Sequence, residues 1–257
     1  MKTNHFHYLT WADHTEKICK MKKIFFISLS VLTSCICFSQ ENIFTAGFQY
    51  KPIFSSSLFN TVEKSITQNN INFSVSQKFG FCAGMVIRRG FTKRFSLESG
   101  INYVKRNYNL KIADTSFTGK SDFTIIGYEI PVLGLIYIRI AKKIFMNTSL
   151  GISWDMYPSN ITTGDSYFKH TSTRHSLFQG AALANLGYEY RTEKSGYFYW
   201  GASYHLPFTE IFNSSITYEP KQEIAKLKIP GNYLTLDFRY FFHEEPLKQK
   251  KKKKKKK

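Results

Sequence analysis

Residues 234–242 read LTLDFRYFF, and the polarity of their side chains alternates along the segment. Leucine and aromatic side chains occupy the even positions, whereas Thr235, Asp237 and Arg239 lie between them. Successive side chains of a β-strand point to opposite faces of a sheet. The segment therefore predicts a strand with one apolar face and one polar face.

Seven further segments upstream repeat this alternation, each over about ten residues and each followed by a turn-like stretch. The eight predicted strands are 43–54, 79–89, 94–109, 123–138, 143–156, 176–190, 197–208 and 232–242. The connections between them are alternately long and short, and the long ones are 55–78, 110–122, 157–175 and 209–231. A membrane barrel with long external loops and tight periplasmic turns produces this alternation. The sequence thus predicts an all-β fold, an eight-stranded antiparallel up-and-down transmembrane β-barrel, with both termini in the periplasm.

Aromatic residues fall where the two membrane interfaces are expected. One predicted group lies at the outer rim: Tyr103, Tyr128 and Trp154. The other lies at the periplasmic rim: Phe95, Tyr188, Tyr190, Phe198, Trp200, Tyr240 and Phe242. Aromatic girdles that flank an aliphatic band are typical of membrane barrels. One segment, 123–138, departs from the pattern because it is apolar on both faces and contains Pro131, which predicts a bulge or a local break.

Charged residues recur on the face that the barrel would turn inward. They are Lys51, Arg88, Glu98, Glu129, Asp155, Glu189, His205, Asp237 and Arg239. Eight strands enclose a space just wide enough for side chains to fill. Buried charges need partners, so we expect a paired network that plugs the lumen and has a structural role.

The charge distribution argues against nucleic-acid binding. The net charge of the whole chain is +18, but nine of its lysines form the tail at 248–257. Residues 40–247 carry 22 basic and 16 acidic side chains, a net charge of about +6, which is an ordinary mixed surface. No apolar run of 18 or more residues follows the leader, which excludes a helical membrane protein.

The N-terminal region resembles a secretory signal. Met21, Lys22 and Lys23 precede an apolar run from Ile24 to Ser34, and cleavage after Ser39 is expected. We interpret 1–20 as an unstructured extension from a start assigned too early, 21–39 as the signal peptide, 40–247 as the barrel domain, and 248–257 as a disordered lysine tail. Lipidation at Cys35 is the alternative processing event. Cys82 is the only cysteine left after cleavage, so no disulfide is expected within the mature chain.

Three stretches resemble the PorT-like outer-membrane β-barrel proteins. Residues 128–133 read YEIPVL, residues 47–52 read GFQYKP, and the closing stretch 234–241 reads LTLDFRYF. The resemblance covers about 42–242 and implies insertion by the barrel-assembly machinery, with the aromatic last strand as the recognition signal. It implies no site residues, because the matched positions mark the fold.

One pair of polar residues on these segments is a candidate for chemistry. Ser203 and His205 share a face two residues apart and form a candidate nucleophile and base for a lipid hydrolase. Both are expected to face the lumen, and chance alone produces such pairs, so we expect no catalytic, cofactor-binding or metal-binding residues. His170 and His175 are expected to be solvated in a loop.

The sequence favours a non-enzymatic outer-membrane barrel with long external loops for structural, adhesion or assembly and secretion-related roles. Its expected partners are outer-membrane lipid, lipopolysaccharide and the barrel-assembly machinery, with no nucleic acid and no cofactor. A narrow solute channel or carrier, a lipid A-modifying enzyme and a soluble lipocalin-like barrel are the alternatives. The last would turn its apolar rows inward.

Overall fold

The computed structural model describes residues 44–56, 63–92, 94–115 and 117–243. The predicted extension at 1–20, the signal peptide at 21–39 and the lysine tail at 248–257 lie outside these residues. The described chain is antiparallel β throughout, apart from one 3-10 turn at Glu219–Lys221. No helix in these ranges is long and apolar enough to cross a membrane.

Fourteen strands form within the described ranges. They are β1 (Phe44–Phe54), β2 (Glu63–Gln68), β3 (Ile71–Gln77), β4 (Gly80–Gly90), β5 (Phe95–Ala113), β6 (Thr118–Arg139), β7 (Ile144–Met156), β8 (Ile161–Gly164), β9 (Phe168–Arg174), β10 (Phe178–Arg191), β11 (Tyr197–Pro207), β12 (Phe212–Tyr218), β13 (Glu223–Ile229) and β14 (Tyr233–Phe241).

Eight of these strands pair in a cycle, which we call the eight-strand ring. It contains β1, β4, β5, β6, β7, β10, β11 and β14, and each strand pairs with the next of the eight along the chain. The first and last also pair, with Gly47 opposite Phe241. All eight predicted segments correspond to these strands, so the sequence prediction of an antiparallel meander is confirmed.

The ring has its apolar rows on the outside. Leu150 is 71% exposed, and Phe95, Ile101, Trp154 and Trp200 are about half exposed. The alternate positions of the same strands are buried and mostly polar or charged. This arrangement is the reverse of a water-soluble barrel, and it contradicts the lipocalin-like alternative.

The prediction of four long external loops is wrong. Three of these connections contain the hairpin β2–β3 and the strands β8, β9, β12 and β13, while the connection at 110–122 is mostly the continuation of β5 and β6. We call these six strands, together with β5 beyond Tyr103 and β6 before Tyr128, the distal layer. One four-stranded sheet of this layer has the order β13-β12-β9-β8, and β2 and β3 extend the sheet that contains β5.

A hydrophobic core explains why the connections fold. Ile71 and Phe73 of β3, Leu110 of β5, and Phe212 and Ile216 of β12 are fully buried in one cluster. The two sheets of the distal layer therefore pack face to face, as in a β-sandwich. Burial of this apolar surface stabilises strands that the sequence pattern alone did not reveal.

The polarity of the two faces is exchanged along β5. Its outward row is apolar up to Tyr103 except at Ser99, and it then continues with Lys105, Asn107, Asn109 and Lys111. Its inward row is polar or glycine up to Asn102 and, apart from Arg106, is apolar or aromatic from Val104 to Ile112. The exchange places the edge of the apolar band beside Tyr103, and the strand beyond it has the polarity of a water-soluble sheet.

Pro131 interrupts the pairing of β6 on one side, as predicted. β6 pairs with β5 up to Val132 opposite Ser99 and resumes at Glu129 opposite Asn102. On its other side, Pro131 stays in register with Ser153 of β7. The missing proline N–H thus opens a local gap in one ladder only.

Candidate functional site

The inside of the ring contains a network of ion pairs, which we call the lumen network. Its members are Lys51, Arg88, Glu98, Glu189, Asp237 and Arg239, and each is at most 6% exposed. Arg88 lies opposite Glu98 in the β4–β5 register and donates to it from Nε at 3.1 Å and from Nη2 at 2.9 Å. Arg88 also donates from Nη1 to Glu189 across the lumen at 2.5 Å.

Arg239 completes the network on the opposite wall. Its Nη1 donates to Glu98 Oε1 at 2.5 Å, and its Nη2 donates to Asp237 Oδ2 at 2.6 Å. Lys51 approaches the same Asp237 oxygen at 3.5 Å. The predicted paired network is thereby found, and it links strands that are distant in sequence. Because every charge has a partner of opposite sign, the cost of removing it from water is offset.

A second charged cluster lies closer to the distal layer. His205 Nε2 is 2.8 Å from Asp155 Oδ2 and 3.5 Å from Glu129 Oε1, and the His205 ring stacks on Tyr233 at 4.6 Å. Arg106, which the sequence analysis did not select, donates to Glu129 at 3.2 Å. Arg106 follows Val104 on the inward parity of β5 and could have been recognised from the alternation.

Three side chains of this cluster lie close enough together to bind a metal ion. The ligand atoms of Glu129, Asp155 and His205 are within 4.8 Å of one another. Carboxylate and imidazole groups are ordinary zinc ligands. However, the Arg106 guanidinium already pairs with Glu129 and opposes the approach of a cation. The two carboxylates are thus neutralised by Arg106 and approached by His205, although both ring nitrogens of His205 are buried without a hydrogen bond among the described residues.

Ser203 and His205 lie on one inward face, as predicted, but their side chains are not hydrogen-bonded to each other. The Ser203 hydroxyl donates to Asp237 Oδ2 at 2.5 Å and accepts from Asn185 Nδ2 at 2.9 Å. His205 faces Asp155 instead. The predicted base, the His205 imidazole, is therefore not a partner of Ser203, and the carboxylate that accepts from Ser203 is already paired with Lys51 and Arg239.

His170 is not solvated, contrary to the prediction. It lies in β9 with no exposed surface, packs against the Phe123 ring at 4.6 Å, and contacts Ser172 Oγ at 2.8 Å and Thr163 Oγ1 at 3.0 Å. Burial lowers the pKa of His170 to about 4. His175 is exposed, as predicted.

The outer surface of the ring carries two chains of aromatic contacts. Near the distal layer, Tyr50, Phe81, Tyr103 and Tyr128 follow one another with ring centroids 5.9–6.0 Å apart. At the opposite end, Phe198, Tyr240 and Phe242 are joined at 5.2 and 5.6 Å. Rings of this kind prefer the boundary between apolar and aqueous surroundings.

An antiparallel strand ring with an apolar outside, aromatic belts and a charged inside defines an outer-membrane β-barrel protein. Residues 38–213, about two thirds of the chain, match a family model described as an outer membrane protein beta-barrel domain, and the chain belongs to this family. The outer membrane is accordingly its location.

Solved structures support the fold. The outer membrane protein OprG from Pseudomonas aeruginosa is similar over 80% of this chain and 98% of its own, with a TM-score of 0.52 and 12% identity. The outer membrane protease OmpT from Escherichia coli aligns over 77% of this chain and 91% of its own, at 8% identity. Its TM-score of 0.34 is too low to support any conclusion. No curated protein sequence matches this chain.

Proposed function

We propose that the eight-strand ring is a closed, membrane-spanning barrel of the PorT-like type in a Gram-negative outer membrane. A closed sheet satisfies every backbone hydrogen bond where lipid offers no partner. The short turns and the two ends of the described barrel lie at one end of the ring. By the usual orientation of such barrels, this end faces the periplasm and the distal layer faces the cell exterior.

We infer further that the barrel is non-enzymatic and that its lumen is occluded. The observation that carries this inference is the lumen network, in which the buried Arg88 of β4 is hydrogen-bonded to Glu189 of β10, on the opposite side of the ring, and Arg239 of β14 to Glu98 of β5. An aqueous pore would leave such side chains solvated along its wall. The barrel then serves as an anchor, inserted by the barrel-assembly machinery, for a folded platform outside the membrane.

The platform is the distal layer, and its proposed roles are structural, adhesive or related to assembly and secretion. Its surface carries charges of both signs, including the exposed ion pair Lys78–Asp122 at 2.7 Å and the pair of the exposed Lys221 with the mostly buried Asp114 at 2.6 Å. Lysine hydrogen bonds lower the pKa of both aspartates, so these carboxylates stay ionised in mildly acidic surroundings. A hydrated, rigid sheet surface of this kind suits contact with other macromolecules.

Conductance in planar bilayers tests the occluded lumen. The wild-type protein is expected to give no single-channel steps, whereas E98A/R239A, which truncates two of the buried side chains that fill the lumen, is expected to admit water and ions. The matched control is K143A/E193A, which removes an exposed ion pair of 3.0 Å at the turns. Steps from the wild-type protein would favour the narrow channel instead. Loss of lipid A modification on Ser203→Ala would favour the enzyme.

A further inference from the structure

An open cavity of about 890 Å³ lies at the short-turn end of the ring, beneath the end of β6. Three arginines line it: Arg94 immediately precedes β5, Arg139 ends β6, and Arg191 ends β10. They come from separate segments of the chain and meet only because the strands end at the same rim.

The guanidinium groups keep donors available for a ligand. Within the described residues, the Arg94 side chain has no hydrogen-bonding partner. Arg139 uses Nε and Nη2 for the carbonyl oxygens of Ala141 and Lys142, at 3.2 and 3.4 Å, which leaves Nη1. Arg191 uses only Nε, for Glu189 at 2.6 Å.

Arg191 is also held in position by its surroundings. Its guanidinium carbon lies 4.2 Å from the centre of the Phe145 ring and 4.9 Å from that of Tyr137. Stacking on aromatic faces and the bond to Glu189 fix the side chain before any ligand arrives. A fixed planar guanidinium loses little conformational entropy on binding a phosphate, which it can contact with two N–H groups at once.

The surroundings of the cavity are cationic and, on one side, apolar. Arg89, Lys142, Lys143 and Lys194 are exposed at the same rim. Glu193 is the exposed acid of the turn at 191–196, and it is paired with Lys143 at 3.0 Å. The outer wall of the cavity consists of the lipid-facing side chains Phe95, Ile136 and Ile138.

We propose that this cavity binds the headgroup of an anionic phospholipid from the adjoining leaflet, with the acyl chains along the outer wall. The inference rests on the proposed membrane-spanning barrel. Arginine N–H groups fit the phosphate, and the apolar wall continues directly into the membrane band. A soluble anion would gain nothing from that wall, and an acidic peptide would leave it uncovered, so a charged amphiphile is the ligand that uses both features.

Equilibrium binding of a fluorescent phosphatidylglycerol to the full-length protein in neutral detergent tests the site, with phosphatidylcholine of the same chains beside it. The wild-type protein should prefer phosphatidylglycerol by about tenfold, because arginine side chains near a membrane surface attract anionic headgroups. R94Q/R139Q should lose most of the preference and keep only the part that Arg191 supplies. R94K/R139K should retain more of the preference, because lysine keeps the charge and loses the two-pronged contact.

The matched control is K142Q/K194Q, which removes two charges from the same rim outside the cavity and should change the preference less than twofold. An equal loss in this control, or no preference in the wild-type protein, would overturn the proposal. The proposal would also be overturned if glycerol phosphate bound saturably with the same affinity as the lipid. It would be overturned as well if a glutamate-rich peptide bound and R94Q/R139Q weakened that binding equally. Heat-modifiable gel mobility of each variant shows separately whether the proposed barrel is intact.

Discussion

Arg239 of β14 reaches across the inside of the ring to Glu98 of β5, with 2.5 Å between Nη1 and Oε1. Glu98 also receives two hydrogen bonds from Arg88, so one carboxylate neutralises parts of two buried guanidinium groups. Arg88 and Arg239 each have one further carboxylate partner, Glu189 and Asp237, and Glu98 is the partner that both arginines share. Glu98 is therefore the position at which the lumen network is most sensitive to substitution.

Glu98→Leu should destabilise the barrel by about 3–5 kcal/mol, because it leaves Arg88 and Arg239 short of a buried partner. The measurement is the temperature at which heat-modifiable gel mobility is lost in detergent. Glu193→Leu is the matched control, since that carboxylate is exposed and its ion pair with Lys143 lies in water. A Glu98→Leu protein that unfolds at the wild-type temperature would contradict the network.

Leu150→Arg should reduce the stability of the protein in lipid bilayers by about 2–4 kcal/mol, because the side chain lies in the middle of the outward row of β7. Ile224→Arg provides the control: Ile224 is also an exposed apolar side chain, but it belongs to β13 of the distal layer. Urea titration of the two variants in liposomes measures the difference. If both substitutions lowered the free energy of unfolding equally, the membrane boundary would not lie between the ring and the distal layer.

Phe212→Ala should loosen the distal layer while leaving the barrel folded. Phe212 has no exposed surface and meets the Tyr157 ring edge to face at 5.7 Å, so its truncation should cost about 3–5 kcal/mol. Limited proteolysis reports cleavage in the distal layer, and gel mobility reports the barrel. Ile224→Ala, at an exposed position of the same layer, should leave the cleavage rate close to wild type.

Acidification should destabilise the distal layer through His170. The folded protein keeps the imidazole neutral down to about pH 4, whereas the unfolded chain takes up the proton near pH 6.5. Stability is therefore complete above about pH 6.5 and falls as the pH decreases to about 4, by at most about 3 kcal/mol. Hydrogen exchange of β9 and β12, corrected for the intrinsic effect of pH, measures it. His170→Gln should lose more of this pH dependence than the exposed His175→Gln.

The eight strands of the ring could be predicted from the sequence, because the requirement for an apolar outer face and a polar inner face is visible within each strand. In β14, Leu236 and Phe238 face outward while Asp237 and Arg239 face inward, and a period of two residues expresses this directly. The pairing of Arg88 with Glu98 could likewise be anticipated, because both positions lie on the inward parity at matching depth. Partners from distant strands, such as Arg239 and Glu98, were predicted as a group and required the closed order of strands to be assigned.

The distal layer was missed because its signal reverses at the membrane edge. Tyr103 is the last outward aromatic residue of β5, and from Val104 onward the apolar residues occupy the opposite parity. If a strand is assumed to keep its apolar residues on one face throughout, the sequence predicts that the strand ends near this point and that a loop follows. His170 was misplaced for the same reason, since its burial depends on the Phe123 ring of another strand. In β5 the side chains keep alternating in polarity, but after Tyr103 the apolar residues move from odd to even positions. This shift is the sequence feature that indicates a longer strand with a second apolar face.

The uninterrupted course of β5 and β6 has a mechanical consequence. Residues 95–113 and 118–139 run from the short turns into the distal layer as continuous strands, and their pairing extends from Phe95 opposite Ile136 to Ala113 opposite Thr118, apart from the gap at Pro131. Neither strand ends between the ring and the distal layer on this side of the molecule. If the ring spans the membrane as proposed, a lateral force on the distal layer would be transmitted along β5 and β6 into the bilayer, so that the distal layer and the ring tilt together.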